Sequence, residues 1–197
     1  MLSEGNVSAF DHQKGIIAIT PTSIPPQELN ANLIVLCDLN GSMIQNEVDV
    51  SSDLDIHLEL YRNFAEIKSI CHTHSPFATS WAQAQRSVPI LGTTHADVAN
   101  SSIPCTKPLD DYQDAGKYNK MISSSIINVF ESISYLDVPM VLIARHGPFA
   151  WGKSTAQAIK NIQLCENICQ LAYQTLNLNN AITPLNDLYI RNHFRRS

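Results

Sequence analysis

The chain alternates short apolar runs with longer stretches in which apolar residues recur at helical spacing. A short apolar run bounded by turn residues is typical of a buried strand. Asn40-Gly41 follows one such run and predicts a hairpin, whose return strand we place at Met43 and 48–50. A further short apolar run, 88–91, ends at Gly92. The four main predicted strands are 15–20, 33–38, 67–73 and 138–144.

Helical periodicity fills the stretches between these runs. One helix is predicted directly after the polar segment 51–53, whose serines and aspartate are good N-cap residues. Two more are predicted over 77–85 and 111–133, and Ser154 to Gln157 has the form of a capping box that opens another. Strands and helices in alternation predict a single α/β domain over 1–197, with a mixed sheet. The apolar face of the first helix is Leu54, Leu58, Tyr61 and Ala65.

Composition limits the classes of protein that this chain can belong to. It has 197 residues, 44% of them hydrophobic, and its 13 Lys+Arg against 18 Asp+Glu give a net charge of −5. A chain of this length and apolar content can bury a core, so it is not a disordered chain. The negative net charge argues against binding nucleic acid or an anionic membrane surface.

The sequence also bears on the compartment. No segment approaches the roughly 20 apolar residues of a membrane span, and the first ten residues lack the basic and apolar regions of an export signal. The five cysteines are an odd number without a C-x-x-C pair, which predicts reduced thiols. We therefore expect a cytoplasmic protein.

Three histidines stand at the ends of two predicted strands. His72 and His74 are two apart, so on a strand their side chains point to the same face. His146 follows another buried strand and precedes a Gly-Pro turn. If both strands belong to one sheet, the three imidazoles converge, with Asp53 as a candidate carboxylate in the same shell. The alternative is that each histidine is hydrogen-bonded in a polar rim.

Further polar groups lie in loops. His95 and Asp97 could be metal-linked, could act as acid and base, or could cap a turn. Ser51 and Ser52 precede a predicted helix, where free N–H groups favour an anion such as phosphate, although a serine there can equally cap the helix. No P-loop and no G-x-G-x-x-G motif supports nucleotide binding. Two further polar segments at element ends are Gly5-Asn6-Val7-Ser8 and Thr22-Ser23.

Several short motifs are spread over nearly the whole chain, from about residue 5 to about residue 191. They are GNVSA (5–9), SSD (51–53), CHTHS (71–75), AT and WAQA (78–79 and 81–84), GTTHAD (92–97), IPCT (103–106) and HGPFAWG (146–152). In this order they resemble the L-ribulose-5-phosphate 4-epimerases of the class II aldolase superfamily, which also includes the fuculose-phosphate aldolases.

The resemblance implies a three-layer α/β/α fold around a largely antiparallel sheet. It also implies a homotetramer with active sites at subunit interfaces, a Zn²⁺ cofactor or another divalent metal, and a phosphorylated ketopentose as substrate, in pentose phosphate metabolism such as L-arabinose or L-ascorbate catabolism. By motif, Asp97 matches the catalytic acid/base. The residues that match the metal ligands are Asp53, His72, His74 and His146. Those that match the segments holding substrate and phosphate are Gly5, Asn6, Thr22, Ser23, Ser51 and Ser52.

The implied reaction interconverts L-ribulose 5-phosphate and D-xylulose 5-phosphate. Deprotonation cannot easily invert C4, because its hydrogen is not adjacent to the carbonyl. Cleavage of the C3–C4 bond in the retro-aldol sense leaves an enediolate, which a divalent cation stabilises as a Lewis acid. The aldehyde then turns its other face and recombines, while acid/base groups exchange protons with the C4 oxygen.

The chain departs from the family pattern at several places. It begins close to the GNVSA motif and ends without the C-terminal tyrosine of the family, so we expect a domain shortened at both ends and transfer no role to Tyr189. Thr20 and Ser23 stand where the family often has Lys and Gly. Asp53 matches the epimerases, whereas the related aldolases carry Glu. A class II sugar-phosphate aldolase and an inactive metal-binding paralogue remain the alternatives to an epimerase.

Overall fold

A single seven-stranded sheet forms the centre of the protein. The computed structural model describes residues 5–45, 48–109 and 115–194. The sheet has the strand order β4-β3-β2-β1-β5-β7-β6, and its six neighbouring pairs are all antiparallel. The strands are β1 (Gly5–Asp11), β2 (Ile16–Ile19), β3 (Val35–Asp38), β4 (Met43–Gln45), β5 (Ser69–Thr73), β6 (Met140–Leu142) and β7 (Pro148–Gly152).

The antiparallel order corrects the mixed sheet that the alternation of strands and helices predicted. Strands β1 to β4 follow one another as a meander with no helix of the α type between them. The helix-containing connections then lead to strands that run antiparallel to their neighbours, so alternation along the chain does not produce βαβ units here. The largely antiparallel sheet implied by the family resemblance is confirmed.

Helices cover both faces of the sheet, which confirms the three-layer α/β/α fold. On one face α1 and α4 pack with residues such as Ile56, Leu60, Ile122 and Ile126 in one apolar cluster. On the other face α2 and α5 contribute to a second cluster, which contains three of the five unpaired cysteines. Within the described residues, no helix is both long and apolar enough to cross a membrane. The helices are α1 (Leu54–Asn63), α2 (Pro76–Gln83), α3 (Thr93–Ala96), α4 (Ala115–Val129), α5 (Thr155–Leu178) and α6 (Asp187–Phe194).

Most predicted elements exist, with different ends. The Asn40-Gly41 hairpin joins β3 to β4, and Gly41 has a φ of 82°. Segment 48–50 does not continue β4; Val50 makes an isolated bridge with Pro21 instead. The part of the predicted helix 111–133 that precedes residue 115 lies outside the described residues.

Two strands of the sheet, β1 and β7, were not predicted. In β1 the buried positions that face α1 include Asn6 and Ser8, so the strand lacks the alternation of apolar residues. The Gly147-Pro148 pair indicated a turn, but Pro148 is the first residue of β7, a position where a missing N–H is tolerated. Both strands flank β5, so the surroundings of His72 depend on them.

A carboxylate from α5 caps the helix that follows His74. Glu166 accepts hydrogen bonds from the backbone N–H groups of Phe77 and Ala78, at 2.9 and 2.8 Å. Ser75 is the N-cap residue of α2 but makes no capping bond with its own side chain in the described structure. A negative charge at this helix end also interacts favourably with the helix dipole. Glu166 therefore ties α5 to the loop that carries His74.

We expect Glu166→Ala to lower the free energy of unfolding by about 1 to 2 kcal/mol, because two N–H groups of α2 lose their acceptor. Urea denaturation followed by circular dichroism measures this change. The matched control is Gln163→Ala, which truncates an exposed residue of the same helix and should change stability by less than about 0.5 kcal/mol. Equal effects of the two substitutions would contradict the capping role.

Candidate metal centre and substrate cavity

The sheet brings His72, His74 and His146 to one end. His72 lies on β5, opposite Asn6 of β1 and Phe149 of β7. His74 follows β5 directly, and His146 lies in the tight turn between β6 and β7, where its N–H donates to the Ile143 carbonyl. The convergence predicted from the two strand ends is therefore present.

The turn that carries His146 has little space. A Cβ on Gly147 would lie 2.8 Å from the Thr73 carbonyl oxygen and 3.5 Å from a ring carbon of His72. Arg145 adopts a φ of 65°, which is uncommon for a residue with a side chain. Close packing thus holds His146, in the turn between β6 and β7, against His72 and His74.

The three imidazoles face one another through their Nε2 atoms. His72 Nε2 lies 3.0 Å from His74 Nε2 and 3.1 Å from His146 Nε2. His72 Nδ1 lies 2.9 Å from the Pro148 carbonyl, which can only accept, so Nδ1 carries the proton and Nε2 presents a lone pair. Burial, reinforced by the charge of His146, lowers the pKa of His72 well below its ordinary value, so the ring is neutral.

This arrangement fits a metal ion. Tetrahedral Zn–N bonds of about 2.0–2.1 Å imply nitrogen atoms about 3.3 Å apart, close to the separations observed here. Within the described ranges, these three histidines form the set of His, Cys, Asp and Glu side chains that could hold an ion together. Asp53 Oδ2 lies 3.8 Å from His72 Nε2 and offers a further oxygen. Imidazole and carboxylate ligands suit zinc, manganese and cobalt.

Asp53 stands at the start of α1 but does not cap it. It occupies the N-cap position, yet its carboxylate makes no capping bond in the described structure. Instead it accepts a hydrogen bond of 2.7 Å from the Asn6 side-chain amide, which also donates to Ser51 Oγ at 3.0 Å. The strand β1 therefore turns this carboxylate away from the helix and towards the histidines.

A cavity of about 580 Å³ opens in front of the histidines. Its lining includes the ten residues expected to hold metal and substrate, namely Gly5, Asn6, Thr22, Ser23, Ser51, Ser52, Asp53, His72, His74 and His146. Ser23 adopts a φ of 60°, so the position where the family often has Gly does require the left-handed conformation. The Thr20 hydroxyl, at the place of the family's Lys, accepts a hydrogen bond from the Val7 N–H.

Two residues of α4, Tyr118 and Asn119, also line the cavity and were not predicted. The Tyr118 hydroxyl lies 3.4 Å from His146 Nδ1, and Asn119 donates to the Ser52 carbonyl. Helical periodicity could indicate that α4 packs against the sheet, but not which residues reach the cavity.

Asp97 lies elsewhere in the chain's own structure. It follows α3 and accepts a hydrogen bond of 2.9 Å from Nδ1 of His193 on α6. Asp97 borders a second cavity of about 430 Å³, together with Lys153 and Phe194. His95 is buried outside the three-histidine group, and burial lowers its pKa to about 4.

Comparisons with known proteins identify the family to which the chain is similar. Residues 1–173 match the family model described as Class II Aldolase and Adducin N-terminal domain. The chain is 35% identical over 192 residues to L-ribulose-5-phosphate 4-epimerase UlaF of Salmonella paratyphi B and of Salmonella paratyphi C, covering 98% of this chain and 84% of each relative.

Solved structures give the same result for the fold. An L-fuculose 1-phosphate aldolase superposes with a TM-score of 0.85 at 25% identity, over 98% of this chain and 85% of that chain. YgbL of Klebsiella pneumoniae, described as a putative aldolase/epimerase/decarboxylase, superposes with a TM-score of 0.75 at 23% identity, over 96% and 86%. Its sequence and its fold both show that the chain belongs to the class II aldolase family.

Proposed function

We propose that this protein is a zinc-dependent epimerase that interconverts L-ribulose 5-phosphate and D-xylulose 5-phosphate. The convergence of three histidine Nε2 atoms beside Asp53 is the observation that carries the proposal. The relatives named L-ribulose-5-phosphate 4-epimerase support this choice of reaction. So does Asp53, which stands where the related aldolases carry Glu.

The residues of the cavity have different roles in this proposal. His72, His74, His146 and Asp53 would hold the ion, which when bound supplies Lewis-acid stabilisation of the enediolate left by C3–C4 cleavage. Asn6 keeps the Asp53 carboxylate turned towards the imidazoles. The cavity volume is in the range of ordinary small-ligand sites.

The phosphate has to be bound without a cation from the cavity wall. Over the ranges that the structure describes, the lining contains no lysine or arginine. Hydroxyl groups of Thr22, Ser23 and Ser52 border the cavity, and the start of α1 places the positive end of a helix dipole there. We assign the phosphate to this side of the cavity.

Asp97 needs a neighbouring subunit in order to act. It borders a different cavity from the histidines of its own chain. In the homotetramer that we propose, Asp97 with its partner His193 faces the metal cavity of an adjacent subunit, where it exchanges a proton with the C4 oxygen.

An L-fuculose 1-phosphate aldolase is among the structures that superpose well, which favours a sugar-phosphate aldolase as the second candidate. The two candidates differ in the fate of the aldehyde. An epimerase retains glycolaldehyde phosphate and adds it back, whereas an aldolase releases it.

The first expected outcome concerns metal-dependent turnover. Zinc-loaded protein given L-ribulose 5-phosphate should form D-xylulose 5-phosphate, and a chelator should abolish the reaction until zinc is restored. His74→Ala should lower zinc occupancy and reduce turnover at least about 100-fold, because one of three imidazole ligands is lost. A coupled assay for D-xylulose 5-phosphate and metal analysis of the purified protein measure both.

The control for this substitution is His12→Ala, which removes a histidine bonded to the Ile67 carbonyl. It should retain zinc and activity. Free glycolaldehyde phosphate as the main product would favour the aldolase. A folded, zinc-loaded protein without either activity would leave the inactive metal-binding paralogue.

The second expected outcome tests the role of Asp97 across subunits. Asp97→Asn and His74→Ala should each be inactive alone. When the two variants are refolded or co-expressed together in equal amounts, random mixing gives about a quarter of the sites an intact histidine cluster and an intact neighbouring Asp97. Activity should therefore return to roughly a quarter of the unmodified level.

The control is a double variant that carries both substitutions, Asp97→Asn and His74→Ala, in one chain. All of its sites lack both groups, so it cannot complement itself. If mixed single variants stay as inactive as the double variant while forming mixed oligomers, Asp97 does not act in a neighbouring subunit.

A further inference from the structure

A buried hydrogen-bonded group lies between α1 and the sheet, beneath the metal centre. It consists of Ser8 on β1 with His57 and Tyr61 on α1, and none of the three exposes more than 3% of its surface. Ser8 Oγ lies 2.7 Å from His57 Nδ1 and 2.7 Å from the Tyr61 hydroxyl. The function proposed above assigns no role to these three residues.

Burial raises the pKa of Tyr61 and keeps its phenol protonated, so the phenol is able to donate a hydrogen bond. The short contacts of Ser8 with Tyr61 and with His57 Nδ1 allow a relay in which Tyr61 donates to Ser8 and Ser8 donates to Nδ1. In this relay the neutral imidazole carries its proton on Nε2.

His57 Nε2 is a buried donor that is not used within the described structure, where it has no hydrogen-bond partner. Asn6 Oδ1 is a buried acceptor that likewise has no hydrogen-bond partner within the described structure. Asn6 and Ser8 are two residues apart on β1, so their side chains share the face that α1 covers. The amide nitrogen of Asn6 is the group that donates to Asp53.

The ring of His57 also contacts the floor of the metal centre. It meets the Phe149 ring edge-on, with centroids 5.9 Å apart, and Phe149 stacks on His72 at 4.2 Å. Asp53 lies one helical turn before His57 in the chain. Burial lowers the pKa of His57 to about 3, although the charge of Asp53 acts to raise it. The imidazole is thus a neutral group placed next to the candidate metal ligands.

We propose that His57 is a positioning residue of the metal centre: its Nε2–H, oriented by Tyr61 and Ser8, donates directly or through one water to the Asn6–Asp53 pair. This donor holds Asn6 so that its amide nitrogen orients the Asp53 carboxylate towards His72. Groups that orient metal ligands in this way contribute strongly to metal affinity. The inference rests on the metal site of the proposed function.

Two substitutions separate the two nitrogens of the ring. His57→Asn keeps a polar atom near the position of Nδ1 but removes the donor at Nε2, whereas His57→Gln places an amide near Nε2. We expect His57→Asn to weaken zinc binding about 10- to 100-fold, and His57→Gln to recover most of that loss. Competition with a chromogenic chelator gives the affinity, and the visible absorption of the cobalt-substituted protein reports the ligand geometry.

A purely structural role would lower the thermal midpoint of both variants without this difference between them. Equal zinc affinities in the two variants, or a weaker affinity in His57→Gln, would overturn the inference. If the unmodified protein binds no zinc or cobalt, the proposed metal site fails instead, so the two failures are distinct.

Tyr61→Phe tests the relay even if the His57 variants do not fold. It removes one hydroxyl and keeps the ring, and we expect zinc binding to weaken several-fold because Ser8 can then reverse its hydrogen bond. Tyr135→Phe is the matched control, since Tyr135 packs against Phe64 in the same apolar cluster and lies outside the relay. Unchanged zinc affinity in a folded Tyr61→Phe variant would contradict the proposal.

Discussion

The hydrogen bond from His72 Nδ1 to the Pro148 carbonyl determines what this end of the sheet can do. It leaves the other nitrogen of a fully buried, neutral ring with a lone pair directed at two further imidazoles. A cation placed among the three Nε2 atoms would accept this lone pair. The bond itself exists because β7 begins at Pro148, directly beside β5, and because Gly147 leaves room for the turn before it.

Near the three histidines, several residues depart from the ordinary capping and core-packing patterns of helices and strands. Aspartate at a helix N-cap normally bonds the first N–H groups of the helix. Asp53 instead bonds Asn6, and Ser51 Oγ accepts from the Asp53 N–H. The core face of β1 carries Asn6 and Ser8 where apolar side chains would stabilise the sheet more. Departures of this kind are expected at functional sites.

The sequence was most informative where spacing and chemistry coincided. Two histidines two residues apart at a strand end, with a third after another strand, were enough to predict the cluster. Strand β1 could not be predicted in this way, because Asn6 and Ser8 interrupt the apolar alternation that identifies a strand. Asp97 shows a different limit: its motif indicates a role, but neighbours in sequence do not show which cavity a side chain borders. The position of Tyr118 depends on how α4 packs, which periodicity alone does not determine.

The central place of β1 has a consequence for how the protein is made. β1 pairs with β2 a few residues later, but its other edge pairs with β5, so that Asn6 meets His72 only after more than sixty residues have been added. Long-range pairings of this kind are slow to form. β5, in turn, is almost entirely buried and leaves an open edge until β7 arrives. A growing chain released before residue 152 would therefore expose an apolar strand edge, the kind of surface that promotes aggregation.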